Sequence, residues 1–339
     1  EQGHAQVSVA SQNVVANHDA QRLDVRVVLV PGSQLRFGSV LPRGNTRIRS
    51  DRIVAIAGLP EGAVHNPDTL DEAETRLRTT GAFASVVLRT AEQANPDGTV
   101  DIEARVEESP PRRLGFGAEF DSEVGVRLSG FWLHRNLFGG AEKLRLEGEV
   151  ARIGETGIEN ATYRAFASLR TPEFLGRDLQ SVTLFGAVSE KLPAYDRDAV
   201  IASLTLEHRL SDTMALSGGP SFENGRIGRD GDMSAFTLFG VMGAFRYDNT
   251  TNPLDPRQGQ RITLSATPYY SALDANYFTR LLMIGSSYFD MSGDGASVLA
   301  LRAALGSAPG AGRDEITLDK RFYAGGGGSV RGYTYQSIG

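Results

Sequence analysis

The sequence predicts two structural parts in series: a small α+β module and, after it, an antiparallel β-sheet closed into a transmembrane barrel. A hairpin pattern occurs twice in the first third of the chain. The remaining two thirds contain about eleven alternating segments of ten or more residues, with no helical pattern between them. No apolar run approaches the roughly 18 residues of a membrane-spanning helix, whereas barrel strands alternate and need no such run.

The repeated hairpin pattern sets the domain boundaries. Segments 14–32 and 92–110 each contain an Asn-x-Asp turn, then alternating strand residues, then a proline. Turn residues between alternating runs predict a hairpin in each case. We therefore expect residues 1–32 to be the closing hairpin of a module whose beginning lies earlier, and residues 33–110 to be one complete copy.

Two helices are predicted inside the complete copy. Ser50 is a good N-cap for a short helix that Gly58 ends. Asn66 caps a second helix, with Pro67 at its first position and Gly81 after its end. The second helix has an apolar stripe at helical spacing, formed by Leu70, Ala73 and Leu77.

Three strands complete this module: 34–40 before the helices, then 83–89 and 100–106. The result is a β-α-α-β-β unit with both helices on one face of a small sheet. The charged residues of the second helix are predicted to form its solvated side and not a site. They are Asp71, Glu72, Glu74, Arg76 and Arg78.

Residues 111–339 have the pattern of the barrel. Segments 143–150 and 261–270 place apolar residues on one face and charged or hydroxyl residues on the other. A soluble β-sandwich has the same period, but its strands are shorter, and ten-residue tilted strands suit a bilayer. Tyr269 and Tyr270 are typical of an aromatic girdle. The polar faces of further segments carry Arg127, Glu207 and Arg302.

Composition argues against an enzyme and against a nucleic-acid partner. The net charge of −6 argues against nucleic acid, because phosphate neutralisation needs a basic face. The absence of cysteine excludes a thiolate for metal binding or catalysis. The five histidines have no metal-ligand spacing, and no Ser/His/Asp arrangement is evident. The glycine run 325–328 does not meet either phosphate-binding motif. We expect no catalytic residues, no cofactor and no metal.

The first predicted barrel strand, 113–120, contains two inward glycines, Gly115 and Gly117. Its outward positions would face lipid, and they are Leu114, Phe116, Ala118 and Phe120. Glycine weakens a strand, so these two residues predict a lateral seam that can open. An equally good interpretation is that they make room for a loop folded into the barrel.

The segments "NLFGGAEKL", "NPLDPRQGQR" and "RFYAGGGGSVRGY" resemble the outer-membrane assembly superfamily that joins POTRA modules to a barrel. The combination is most similar to the TamA family, the outer-membrane subunit of the translocation and assembly module. The resemblance implies periplasmic POTRA modules of β-α-α-β-β form, followed by a barrel of about 16 strands in the Gram-negative outer membrane.

The resemblance also implies a site. Val330, Arg331, Gly332 and Tyr333 match a motif at the tip of a long extracellular loop that folds back into the lumen. There Arg331 would pair with an acidic residue of a later strand, through the bidentate geometry of guanidinium and carboxylate. Because the sequence stops at Gly339, that acid and roughly five expected strands would lie beyond it.

The implied function is insertion or translocation of β-rich clients such as autotransporters. The implied partners are outer-membrane lipid, unfolded barrel or autotransporter clients, and a TamB-like inner-membrane protein reached through the POTRA modules. Two alternatives stay open: a two-partner secretion pore with one passenger, and a passive channel with periplasmic modules. A TamA-like role and a BamA-like role are not separated by the sequence.

Overall fold

The computed structural model describes residues 8–17, 22–121, 125–153, 161–229, 231–326, 329–330 and 332–339. The chain divides into two compact units. The first comprises Glu1–Pro111 and Arg135–Ala141, and the second comprises Arg112–His134 and Glu142–Gly339. Within the described residues, neither helix is long and apolar enough to cross a membrane.

The first unit opens with a two-stranded antiparallel hairpin. Strand β1 (Ser8–Asn17) pairs with β2 (Arg22–Val30), and the register runs from Ser8 opposite Val30 to Asn17 opposite Arg22. The predicted Asn-x-Asp turn falls mostly on residues 18–21, which lie outside the described residues. The assignment of this hairpin to an earlier module stays a prediction.

The predicted β-α-α-β-β unit is confirmed. Its elements are β3 (Arg36–Arg43), α1 (Ser50–Ala57), α2 (Pro67–Thr79), β4 (Phe83–Thr90) and β5 (Thr99–Glu108). The sheet has the order β3-β5-β4, with β3 parallel and β4 antiparallel to β5. An apolar core lies where both helices meet the sheet, and it includes the fully buried side chains Phe37, Ile53, Ile56, Leu77 and Ile102.

Helix ends follow the sequence signals with one exception. The Asn66 side chain accepts a hydrogen bond from a backbone N–H of the first turn of α2 at 2.9 Å. Gly58 ends α1 with φ of 58°, a left-handed conformation that favours glycine. The prediction that Ser50 caps α1 is wrong by one residue: the N-cap is Arg49, which has extended backbone. Ser50 instead accepts a hydrogen bond from the Asn45 amide at 3.1 Å.

The prediction that Arg76 lies on the solvated side of α2 is wrong. Its side chain is buried, and Nε and Nη2 donate to the carbonyl oxygen of Ala57 at 3.1 and 2.5 Å. This carbonyl is at the C-terminal end of α1, where helical carbonyls lack partners within the helix. Arg76 thus joins the two helices, whereas Asp71 and Glu72 are exposed as predicted.

Glu108, at the end of β5, ties down the chain before α1. Its carboxylate accepts the backbone N–H groups of Thr46, Arg47 and Ile48 at 2.8, 2.8 and 2.9 Å. It also accepts the Arg47 Nε at 3.0 Å. Burial raises the pKa of Glu108, but these hydrogen bonds outweigh it and lower the pKa from 4.5 to about 2.

The short segment 135–141 belongs to the first unit. The Arg49 backbone N–H donates to Gly139 O at 2.9 Å, and Asn136 Nδ2 donates to Arg47 O at 3.0 Å. Ala141 is part of the apolar core, with 1% of its surface exposed. The residues around the start of α1 therefore find their hydrogen-bond partners in this segment and in Glu108.

The described residues of the second unit form an antiparallel sheet of 11 strands in simple chain order, where the sequence predicted about eleven. In the described part of the chain, the first and last of them are the edge strands. They are β6 (Arg112–Asp121), β7 (Gly125–His134), β8 (Lys143–Ile153), β9 (Thr162–Thr171), β10 (Leu179–Lys191), β11 (Asp196–Arg209), β12 (Met214–Arg229), β13 (Asp232–Asp248), β14 (Gly259–Ser271), β15 (Asn276–Asp290) and β16 (Val298–Ser307).

Alternation along each strand gives this sheet two different faces. One, which we call the outer face, bears exposed apolar side chains such as Leu114, Phe116 and Phe185. The other, which we call the inner face, bears the charged residues, and the segment 308–326 after β16 packs on part of it. Arg127 and Glu207 lie on the polar face, as predicted, and contact other charged side chains there.

Candidate functional site

A ladder of alternating charges crosses the inner face. One charged side chain from each of seven consecutive strands contributes, from β6 to β12, and neighbours along the ladder have opposite signs. Opposite charges on adjacent strands stabilise pairing on one face of a sheet. The ladder comprises Glu119, Arg127, Glu149, Arg164, Glu190, Arg197 and Glu223, with nitrogen–oxygen distances of 3.4, 3.9, 2.9, 2.8, 3.0 and 3.4 Å between successive members.

The ladder is solvent-exposed at one end and buried at the other. The Glu119 side chain on β6 is 71% exposed, whereas Glu190 and Arg197 are 7% and 11% exposed. Exposed ion pairs contribute little to stability because water and salt screen them. The geometry therefore matters most at the end formed by β10, β11 and β12.

The segment after β16 covers this buried end. It forms two short 3-10 turns, Arg313–Glu315 and Leu318–Lys320. Between them Ile316 enters an apolar cluster of the second unit, where it is 6% exposed. Apolar partners in the cluster include Phe236, Leu238 and Phe278. The chain after the last strand is therefore packed onto the sheet.

Four side chains at this position form what we call the loop anchor: Arg197, Glu223, Asp319 and Lys320. Arg197 Nη1 donates to Asp319 Oδ2 at 2.6 Å, and Lys320 Nζ donates to Glu223 Oε1 at 2.5 Å. Lys320 Nζ is also 3.0 Å from Asp319 Oδ2. The Asp319 side chain is 2% exposed, and the other three are 10% or 11% exposed. Buried charges require partners of this kind.

Both loop residues of the anchor stay charged at neutral pH. Burial alone raises the pKa of Asp319, but the charges of Lys320 and Arg197 outweigh it and lower that pKa below its ordinary value. Burial lowers the pKa of Lys320, but Asp319 and Glu223 outweigh it and raise that pKa. Asp319 and Lys320 therefore hold each other in the ionised form.

Two glycines of the sheet make room for rings beside the anchor. A Cβ atom at Gly240 would lie 2.8 Å from the Tyr269 ring, and Lys320 Nζ lies 5.3 Å from the centre of that ring. A Cβ atom at Gly306 would lie 2.5 Å from the Phe322 ring. Lys320 and Phe322 thus contact the sheet as alternate residues of one segment.

Tyr269 is not part of an aromatic girdle, which corrects the prediction for this residue. Its ring lies on the inner face and stacks on Phe278 with centroids 5.2 Å apart. Tyr270 stacks on Tyr277 with centroids 4.6 Å apart, and Tyr277 is exposed. Adjacent residues of a strand face opposite sides, so only one of two neighbouring tyrosines can face outward.

The predicted loop motif is only partly described. Arg331 lies outside the described residues, so its acidic partner stays a prediction. Val330 and Tyr333 are 40% and 56% exposed. Gly332 has φ of 90°, which favours glycine, and the Tyr333 carbonyl accepts the Gly326 N–H at 2.8 Å. The described part of the motif is therefore hydrogen-bonded back to Gly326, in the glycine run.

The two predicted seam glycines lie on the inner face of β6, next to side chains of β7. A Cβ atom at Gly115 would lie 2.3 Å from the Phe131 ring, and one at Gly117 would lie 2.9 Å from the Ser129 hydroxyl. The Arg145 guanidinium stacks on Phe131 at 4.2 Å. The nearest atoms to these glycines thus belong to the neighbouring strand and not to the folded loop. The seam itself stays a prediction.

Comparison with known families agrees with these two units. The model of the Omp85 superfamily domain matches residues 136–339, which is more than half of the chain. This chain belongs to the Omp85 superfamily. The POTRA model, described as a surface antigen variable number repeat, matches residues 35–109. Members of the Omp85 superfamily are Gram-negative outer-membrane proteins with periplasmic POTRA domains.

Relatives and solved structures support the same placement. The outer membrane protein assembly factor BamA of Neisseria meningitidis serogroup B is 22% identical over 99% of this chain and 44% of its own length. BamA of Neorickettsia risticii is 28% identical over 45% of this chain and 20% of its own length. This Omp85 chain thus spans less than half the length of either relative.

Two solved structures share the fold. The structure of Haemophilus ducreyi BamA lacking POTRA domains 1-3 has a TM-score of 0.75 at 19% identity, covering 99% of this chain and 67% of that one. CdiB from Acinetobacter baumannii has a TM-score of 0.64 at 13% identity, covering 97% and 60%. Both relatives in the preceding comparison are BamA proteins, and neither structure is a TamA protein.

Sequence reasoning missed the loop anchor. A signal was present, because Asp319 and Lys320 are adjacent opposite charges just before the motif, and Arg197 and Glu223 are charges on alternating strands. What the sequence lacks is the pairing between them, since residues 197 and 319 are 122 positions apart.

Proposed function

We propose that this protein is an outer-membrane assembly factor that inserts or translocates β-rich client proteins, and that it is not an enzyme. The observation that carries this proposal is the match to the Omp85 superfamily domain over residues 136–339, preceded by the POTRA match at 35–109. The N. meningitidis relative, which aligns with nearly the whole chain, is named as an assembly factor.

The finer proposal is a TamA-like role with autotransporters as clients and a TamB-like partner at the POTRA module. It rests on the motif segment 321–333. A BamA-like role is the second candidate, because both relatives are BamA. Depletion of this protein in the parent bacterium separates the two roles. Loss of autotransporters alone from the outer membrane supports the TamA-like role, and loss of outer-membrane barrels in general supports the BamA-like role.

The POTRA sheet offers a binding mode for extended clients. A strand can add to an exposed sheet edge through main-chain hydrogen bonds. At the β4 edge, Arg78 Nη2 donates to Val86 O at 3.0 Å, and the Glu74 carboxylate accepts the Leu88 N–H at 3.2 Å. A client strand on β4 would therefore have to displace these two side chains.

Reconstitution tests assembly activity directly. We expect the full-length protein in liposomes to accelerate folding of a urea-unfolded autotransporter barrel, measured by its heat-modifiable migration on gels. A rate no faster than in empty liposomes would contradict the proposal. Large conductance at rest without any acceleration would favour the passive channel, and activity toward a single passenger only would favour the secretion pore.

The seam and the motif are tested in the same assay. Gly117→Cys joined by a disulfide to a cysteine opposite it on the closing strand of the full-length barrel should stop client insertion until reductant is added. Arg331→Ala should impair insertion, and Arg331→Lys should rescue it only partly because lysine lacks the planar fork. Insertion at the unmodified rate through the locked seam, or in Arg331→Ala, would remove that part of the proposal.

A further inference from the structure

We propose that Asp319 and Lys320 are positioning residues that fix the register of the motif-bearing loop on the inner face, through a buried ion-pair set with Arg197 of β11 and Glu223 of β12. Both residues lie about ten positions before the motif Val330–Tyr333. The geometry points to a role in seating the loop and not in supporting the sheet.

The order of the charges makes the contact selective for one register. On the sheet, a cation and an anion stand on neighbouring strands, Arg197 and Glu223. On the loop, an anion and a cation are neighbours in sequence, Asp319 and Lys320. In the observed seating every close contact joins opposite charges. Movement of the loop by one residue or one strand would place like charges together in a buried site, where water cannot screen them.

Neighbouring contacts of the same segment fit the same register. Lys320 lies over Tyr269, whose ring occupies the space above Gly240, and Phe322 occupies the space above Gly306. A ring fits at those positions because glycine has no Cβ atom. The Arg280 guanidinium stacks on the Phe322 ring at 4.8 Å. Residues 320 and 322 therefore have these partners in the register in which Asp319 faces Arg197.

The sheet does not depend on Asp319 for charge balance. Without that carboxylate, Arg197 retains Glu190 at 3.0 Å and Glu223 at 3.4 Å, and Lys320 retains Glu223 at 2.5 Å. Removal of a sole partner would leave a buried charge unpaired, which is strongly destabilising. Removal of the Asp319 carboxylate leaves two cations, Arg197 and Lys320, beside two anions, Glu190 and Glu223. The loop can therefore be released while the strands stay paired.

The test exchanges the two loop residues, Asp319→Lys with Lys320→Asp, which keeps composition and net charge. The reporter is Ile316→Cys in this cysteine-free sequence, because Ile316 is buried where the loop packs on the sheet and should become accessible when the loop is released. The readout is the rate of maleimide labelling of the full-length protein in micelles. The exchange should raise the rate by about tenfold or more over the reporter alone, because local opening governs access to a buried thiol.

Two further variants sharpen the result. Asp319→Asn should also raise labelling, whereas Asp314→Asn, which removes the same charge from an exposed position of the same segment, should leave it unchanged. Lys320→Arg retains the charge and should protect the thiol better than Lys320→Met. Equal labelling in Asp319→Asn and Asp314→Asn would overturn the proposal.

Folding is checked by heat-modifiable migration. A sheet that fails to fold in Asp319→Asn would also overturn the proposal, since it would make the residue a folding element. The consequence for clients rests on the proposed function. Slower client insertion in the exchange variant is the expected result. Faster labelling with unchanged insertion would support the anchor but contradict its use in assembly, and unchanged labelling would contradict the anchor whatever the insertion assay gives.

Discussion

The POTRA module and the 11-stranded sheet place their apolar side chains in opposite ways. In the module, two helices cover one face of a three-stranded sheet, and the core consists of side chains such as Phe37, Ile53 and Ile102. In the large sheet the apolar side chains lie on the exposed outer face, and much of the inner face is charged. A membrane protein can invert its polarity in this way because lipid solvates the outer face.

The difference teaches where specificity lies in each unit. Apolar contacts in the module depend on volume and shape, and hydrogen bonds to Glu108 fix one loop. Charged contacts on the inner face depend on the order of signs, so they discriminate between registers that apolar contacts would tolerate. Stability should therefore be most sensitive in the module, and loop position most sensitive on the sheet.

The largest expected effect is in the module core. Phe37→Ala removes a fully buried ring and should destabilise the module by about 3–5 kcal/mol. The measurement is hydrogen exchange of residues 36–108 in the full-length protein across a urea series. Val54→Ala, at a position that is 39% exposed, is the control and should cost well under about 1.5 kcal/mol. Similar losses in both variants would contradict the assignment of the core.

A slightly smaller effect is expected for Glu108, and it depends on pH. Its folded pKa of about 2 lies below the ordinary 4.5, so its stabilisation is complete above pH 4.5 and is lost as the pH falls toward 2. By linkage this is roughly 3 kcal/mol. Glu108→Gln should be less stable at pH 7 and should lose the pH dependence between those values, measured in the same exchange experiment.

The exposed neighbour Glu107 gives the control for that series. Glu107→Gln should retain the loss of stability on acidification. If Glu108→Gln retained it as well, another carboxylate would be responsible.

The smallest expected effect is on the large sheet, at Gly115. Gly115→Ala places a methyl group against Phe131 and should cost about 1–3 kcal/mol by overpacking. The temperature at which the folded band is lost on gels measures this. Gly285→Ala is the control, because no atom lies within 4 Å of the added methyl group. Phe131→Leu combined with Gly115→Ala should recover stability, and failure to recover would mean that the glycine is needed for another reason.

Particular elements show how far sequence reasoning reached. Asn66, Pro67 and Gly58 bound their helices as predicted, because caps act within a few residues. Ser50 failed as a cap because its hydroxyl accepts the nearby Asn45 amide, and because the Arg49 N–H donates to Gly139, which is distant in sequence. Arg76 failed as a solvated residue because helical spacing does not reveal that a second helix ends beside it.

The sequence by itself determined the order of elements, the 11 alternating strands and which residues share a face of each strand. These follow from local periods of 3.6 and 2 and from turn chemistry, which are read over short distances along the chain. Tertiary structure alone decided that Tyr269 contacts Lys320, that Phe131 fills the space at Gly115, and that Asp319 meets Arg197. Those pairings depend on strand register and on the return path of the loop, and neither has a local signature because the partners come together only when the chain has folded.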